Sequence, residues 1–289
     1  MTRFGLWVLR ALGTLPLGMV RALGGLVGAL FYLVSKERRG VALTNVGLCF
    51  PELSAAERRR LARAHFGVFA KALLDRGFLW WGPAELIHRR VRWVDFRHFE
   101  EARARRAVIL LAPHFVGLDA GGVLATLTWR IVSIYSNQKN PDFNEAVLRG
   151  RSRFNDPVLL SRQDGVRGAL KALREGLPFY YLPDMDFGAR DAIFVPFFGV
   201  PAATVTAAAR LAKLSDALVV PCVTRLTARG YEVQLYPAWE DFPGASIATA
   251  TERVNAFIEA RVREMPEQYL WTHKRFKTRP PGEAGFYPP

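Results

Sequence analysis

From residue 107 onward the apolar positions fall into short, nearly unbroken runs. Residues 107–112, 131–135, 179–182 and 217–221 are such runs, and residues 231–235 alternate apolar with polar. A continuous apolar run predicts a strand buried on both faces, and alternation predicts a strand with one face wetter than the other. Between the runs, residues 165–175, 204–214 and 249–265 repeat their apolar positions with a helical period. Strands alternating with helices predict an α/β fold: a mixed, largely parallel central sheet covered by helices.

The N-terminal third has a different texture. Residues 4–35 are apolar apart from a few positions, among them Arg10, Pro16 and Arg21, and residues 22–35 carry no charge. A membrane-spanning helix needs about 20 apolar residues, so the uncharged stretch alone is short. Arg10 and Arg21 stand about three helical turns apart and fall on one face of a single long helix. That pattern predicts an apolar helix lying in a membrane interface, or tilted with its arginines reaching lipid phosphates. The apolar stretch runs on to Lys36-Glu37-Arg38-Arg39 with no small-residue cleavage signature, so it reads as a retained anchor with the next unit on the cytoplasmic side. The chain therefore divides into a membrane-anchoring helical segment, 1–40, and a second unit, 41–289. Ser54 and Glu57 form a capping box that opens a helix with Leu61, Phe66, Phe69 and Leu73 as its buried stripe and His65 on its surface. The Pro- and Gly-rich C-terminal tail is expected to run over the surface.

Composition adds a core and a charge. Half the residues are hydrophobic, which excludes a disordered chain, and 40 Lys+Arg against 26 Asp+Glu leave a net charge of +14. Such an excess points to an anionic partner. Nucleic acid is not the expected one, because no binding motif accompanies the charge and the apolar N-terminus would go unexplained. Two cysteines are too few for a disulfide framework or a zinc site, and Cys222, inside an apolar run, reads as a buried inert thiol.

Candidate chemistry gathers where the first strand ends. Pro113 stops the strand, His114 follows, and Asp119 comes five residues later. In open α/β sheets, functional groups collect beyond the carboxyl ends of strands. Residues five apart meet only if the chain bends. Pro113 and Gly117 allow a strand–turn–helix connection that places Asp119 in a first helical turn, reaching back to the imidazole. Such a pair can deprotonate an alcohol. No serine or cysteine nucleophile stands nearby and no third or fourth metal ligand is apparent, so no metal is expected. On residue chemistry alone, a general base and a structural histidine both stay open. Asp184 and Asp186 also follow a strand, with Asp186–Gly188 as the stronger site candidate and turn formation as its plain alternative.

Six segments in order carry a resemblance: Asn45-Val46-Gly47-Leu48-Cys49-Phe50-Pro51-Glu52-Leu53-Ser54, His114 to Asp119, Gly150-Arg151-Ser152-Arg153-Phe154-Asn155, Pro183-Asp184-Met185-Asp186-Phe187-Gly188, Phe194 to Gly199, and Pro266 to Pro280. Nearly the whole chain resembles the late acyltransferases of lipid A biosynthesis, the lauroyl/myristoyl branch of the glycerolipid-acyltransferase-like superfamily. The resemblance implies acyl transfer from an acyl-carrier-protein thioester to a hydroxyl of a lipid A precursor at the bacterial inner membrane, without cofactor and without an acyl-enzyme. It implies His114 as general base and Asp119 as its acidic partner, in a branch that often carries glutamate there. It implies that Arg151 or Arg153 holds a phosphate or the developing oxyanion, with Asp184 and Asp186 beside the substrate. Its basic run from Lys274 to Arg279 would meet anionic lipid or the acidic carrier protein, unless it is simply a solvated tail. Another glycolipid, lysophospholipid or amino-acid-lipid acceptor is the alternative, and a non-catalytic lipid-binding protein of the same fold is the alternative of a different class.

Overall fold

A computed structural model describes residues 2–161 and 166–288. The chain runs α1 (Arg3–Leu12), α2 (Leu17–Val34), α3 (Lys36–Cys49), α4 (Ala55–Trp81), α5 (Ala84–Arg90), β1 (Val91–Val94), α6 (Arg97–Arg103), β2 (Val108–Leu111), α7 (Leu118–Thr128) and β3 (Val132–Tyr135). It continues through α8 (Pro141–Arg151), β4 (Val158–Ser161), α9 (Arg167–Arg174), β5 (Phe179–Tyr181), β6 (Ala192–Phe197), β7 (Val200–Val205), α10 (Ala207–Ser215), β8 (Leu218–Thr227), β9 (Gly230–Leu235) and α11 (Ile247–Glu264) to a short 3-10 turn, Pro266–Gln268. The expected helix over 165–175 is α9; Gly165 itself lies outside the described residues.

Seven strands form one sheet in the order β1-β9-β8-β2-β5-β3-β4, and β6 and β7 form a separate antiparallel hairpin. Within the sheet every pairing is parallel except β8 with β9. The sheet is therefore mixed and largely parallel, as the apolar runs predict. β2 shows why its run is unbroken. Ile109 and Leu111 enter the apolar core on one face, while Val108 and Leu110 enter the core on the other. Pairing did what single runs could not announce: β8 continues to Thr227 and turns into β9, and the short edge strands β1 and β4 are recruited by their neighbours.

Three expectations are corrected. The N-terminal stretch is two helices, broken around Gly13 and by Pro16, which stands at the N-cap of α2 because proline cannot continue a helix from within. Arg10 and Arg21 therefore share no helix face. Arg10 is exposed, whereas Arg21 is buried and donates to Asp75 at 3.1 Å and to the Gly230 carbonyl at 3.1 Å. His65 is no surface residue: it is fully buried on α4 with Nδ1 3.1 Å from the Glu267 carbonyl. Arg275, in the basic run expected to meet an anionic partner or else solvent, is buried too and donates to the Ala203 carbonyl and the Thr204 hydroxyl, both at 2.9 Å. Each correction has one cause. An isolated helix or tail looks amphipathic or polar, but a second element covers it and satisfies its polar atoms. The capping box of α4 forms as expected, with Ser54 N donating to Glu57 at 2.8 Å and Glu57 N to Ser54 Oγ at 3.3 Å. Cys222 is buried as predicted, and burial pushes its thiol up to about 12.

Candidate active site

β2 and β5 are parallel neighbours in register, with Leu111 opposite Tyr181. Each then continues with one residue, a proline and a functional residue: Ala112-Pro113-His114 on one side and Leu182-Pro183-Asp184 on the other. The Ala112 N–H donates to the Tyr181 carbonyl at 2.7 Å and extends the ladder one step. The matched chain lengths then bring the two functional residues together. His114 Nδ1 stands 2.7 Å from Asp184 Oδ1, and the His114 backbone N–H donates to Asp184 Oδ2 at 3.0 Å. The C-terminal segment fixes the other side. Leu270 N donates to the His114 carbonyl at 3.0 Å, Val116 N donates to the Gln268 carbonyl at 2.8 Å, and the Gln268 amide is anchored on Leu226 of β8.

Asp184 is almost wholly covered, while a fraction of the His114 ring reaches the surface. Burial alone would raise the Asp184 carboxyl, but the facing His114 charge and the hydrogen bonds from His114 outweigh it and hold the group below its ordinary range. A carboxylate bonded to Nδ1 favours the tautomer that carries its proton there, in which Nε2 can accept. His273 lies nearby and is held neutral: burial first, then the charge of His114, lowers it to about 4.

Asp119 does lie in the first turn of α7, but its partners are arginines. Arg151, the last residue of α8, donates through Nη2 at 2.5 Å to Oδ1, and Arg76 of α4 approaches Oδ2 at 2.6 Å. Among the described residues, the carboxylate paired with the imidazole is that of Asp184, which corrects the expectation that Asp119 reaches back to His114. The start of α7 is pinned by Gly117, where a Cβ would come within 3.0 Å of the Thr224 carbonyl on β8. Burial opposes ionisation of Asp119, yet the charges of Arg151 and Arg76 prevail and hold its carboxyl well below the carboxylate range. Beside Asp119 and Arg151 a narrow cleft descends between Leu118, Ile131, Ile134, Leu159 and Leu182.

The remaining candidates separate cleanly. Arg153 turns away and donates to the Leu79 and Gly82 carbonyls at 2.8 and 2.6 Å, closing the C-terminal end of α4. Asp186 accepts from Gly188 N at 2.9 Å and from Thr278 N at 2.7 Å, so it ties its own turn to the C-terminal segment. Of the two aspartates, Asp184 therefore faces the imidazole, the reverse of the preference that Gly188 suggested. Arg76 was not foreseen, because nothing along α4 marks one arginine among many. The pairing of His114 with Asp184 did have a signal: two apolar runs that each end in a residue, a proline and an ionisable side chain.

A sequence profile described as "Bacterial lipid A biosynthesis acyltransferase" matches residues 1–278. The chain is 33% identical over 291 residues to the "Lipid A biosynthesis lauroyltransferase" of Escherichia coli, covering 99% of this chain and 94% of that protein. It is 35% identical over 258 residues to the "Lipid A biosynthesis myristoyltransferase" of the same organism, covering 88% and 80%. Among solved structures, the 1-acyl-sn-glycerophosphate acyltransferase of Thermotoga maritima aligns with a TM-score of 0.38 at 14% identity, over 85% of this chain and 98% of that one. With a family profile spanning nearly its full length and relatives this similar from end to end, the chain belongs to the bacterial lipid A biosynthesis acyltransferase family.

Proposed function

We propose that this protein transfers a fatty acyl chain from an acyl-carrier-protein thioester to a hydroxyl group of a lipid A precursor, at the cytoplasmic face of the bacterial inner membrane. The observation that carries the reading is the His114–Asp184 contact at 2.7 Å, made through Nδ1, beyond the ends of two parallel strands. The acceptor hydroxyl gives its proton to Nε2 as its oxygen attacks the thioester carbonyl. The buried Asp184 carboxylate stabilises the imidazolium that forms. The tetrahedral oxyanion then collapses, the carbon–sulfur bond breaks, and the imidazolium returns its proton to the departing thiolate. Both substrates are present together, so no acyl-enzyme is needed.

Asp119 acts as a positioning residue. It holds Arg151 and Arg76 side by side, where a guanidinium fork suits a substrate phosphate or the oxyanion. The apolar cleft beside this pair suits the start of an acyl tail.

Purified protein, an acyl-carrier thioester and a lipid A precursor, followed by mass spectrometry, test the reading. Wild type should add one acyl chain, and His114→Ala should lose about 10²-fold or more of the rate. Equal turnover by both proteins would remove His114 as the base. Transfer to other glycolipids but not to the lipid A precursor would keep the chemistry and change the acceptor.

A further inference from the structure

α2 is the one helix among the described residues long and apolar enough to cross a membrane. Its 18 residues give a rod of about 27 Å, close to the ~30 Å hydrocarbon core, so length alone does not decide whether it spans. Its neighbours do. α2 runs antiparallel along α4 with backbones nearly touching. A Cβ at Gly24 would come 2.8 Å from Lys71 Cα, and one at Gly28 would come 2.6 Å from Gly67 Cα. Just before α2, a Cβ at Gly13 would meet the Gly77 carbonyl carbon at 2.4 Å. Arg21 is clamped between these contacts by Asp75, and the Tyr231 hydroxyl donates to the same carboxylate at 2.7 Å. At the far end Tyr32 packs edge-on against Phe66.

Both ends of α2 therefore rest on α4. α1, which precedes it, packs on α4 and α8, and Arg3 pairs with Asp142 of α8. A spanning α2 would carry α4 into the hydrocarbon with Lys71, Asp75 and Arg76, at a prohibitive desolvation cost. It would also part α1 from the elements it touches. Yet the opposite face of α2 is uncovered: Met19, Leu23, Leu26, Leu30 and Leu33 form one exposed row, continued on α1 by Phe4 and Trp7. Exposed cations stand at both ends, Arg3 and Arg10 before the row and Lys36 after it. An apolar stripe framed by cations complements anionic headgroups above an acyl layer.

We infer that α1 and α2 are a docked in-plane anchor: the exposed row sinks into one leaflet of an anionic bilayer, and α2 does not cross it. This rests on the reading of the protein as an enzyme acting on a membrane lipid. It adds that the anchor is keyed to the site, because the Gly13–Gly77 contact adjoins Arg76, which holds Asp119.

Both native thiols are buried, so introduced cysteines report cleanly. The full chain carrying Thr2→Cys and Lys213→Cys together is placed in sealed vesicles of anionic phospholipid and treated with a bulky impermeant maleimide. A docked anchor keeps the two positions on one side, so each molecule takes two labels or none, whichever way it is inserted. Molecules that take a single label, becoming double only after detergent lysis, overturn the inference. In parallel, Leu26→Glu with Leu30→Glu should cut the vesicle-bound fraction at least about tenfold while the protein stays folded. Unchanged binding, or wild type that stays off vesicles as a dimer, would show that the row meets something other than lipid. Acyl transfer by the same variants on detergent-dispersed acceptor separates the two readings. Its absence in wild type undermines the proposed activity and leaves the labelling result intact.

Discussion

His114 has two carboxylates within reach of a sequence argument, and the residue scale is where they part. Asp184 touches the imidazole at 2.7 Å, and Asp119 pairs with the guanidiniums of Arg76 and Arg151. Replacing each with asparagine should therefore produce different kinetics. Asp184→Asn keeps the shape but removes the charge that stabilises the imidazolium. We expect kcat to fall about 10²- to 10⁴-fold, with the acidic limb of the pH–rate profile displaced to lower pH. Asp119→Asn should keep that limb where it is in wild type and act through Arg151 and Arg76, chiefly by raising KM. Rate profiles from pH 5 to 9 decide between them; a displaced limb in Asp119→Asn with a wild-type limb in Asp184→Asn would return the imidazole to Asp119. Asp119 was the natural choice from sequence because it is near His114 along the chain. Asp184 is 70 residues away and becomes adjacent only through strand pairing.

At the scale of elements, glycine contacts and caps set how helices seat. Gly77 meets α1 so closely that a Cβ would lie 2.2 Å from the Leu9 carbonyl oxygen. Gly77→Ala must push α1 away from α4 and should cost on the order of 1–3 kcal/mol, read from denaturant midpoints. Ser54→Ala removes one half of the capping box and should cost about 1 kcal/mol by the same measurement. The capping box was legible in the sequence because it is local, two residues three apart. The seating of α2 was not, because apolar residues with interspersed glycines read alike whether the facing surface is lipid or protein. Arg21 was read as lipid-facing for that reason, and only the position of Asp75 on α4 shows otherwise.

For the whole molecule, His65, fully buried, and His273, half-buried, set an acid limit on stability. Burial lowers His65 to about 4 and His273 to about 4, against 6.5 for a free side chain. The unfolded chain takes up these protons as pH falls below 6.5, while the folded chain resists until about 4. Stability is therefore full above 6.5 and lost progressively between 6.5 and 4. Each group should withdraw on the order of 2 kcal/mol between pH 7 and pH 5. Unfolding midpoints measured across that window should decline steeply. His65→Phe should flatten the slope by about half, and an unchanged slope would contradict the burial of His65 as its cause.

The sequence by itself determined five of the seven strands of the central sheet, the helices α4, α9, α10 and α11, the basic charge of the chain, and His114 at a strand end. These follow from periodicity, charge and residues close in the chain, which act locally. The tertiary structure alone decided which carboxylate contacts the imidazole, which arginines pair with Asp119, and whether His65, Arg21 and Arg275 are wet or dry. Those choices depend on which elements pair and what covers each face, and that is set by the packing of segments far apart in sequence. His114 was legible because Pro113 ends its strand. Its partner was decided by the register of β2 against β5, which no single segment carries.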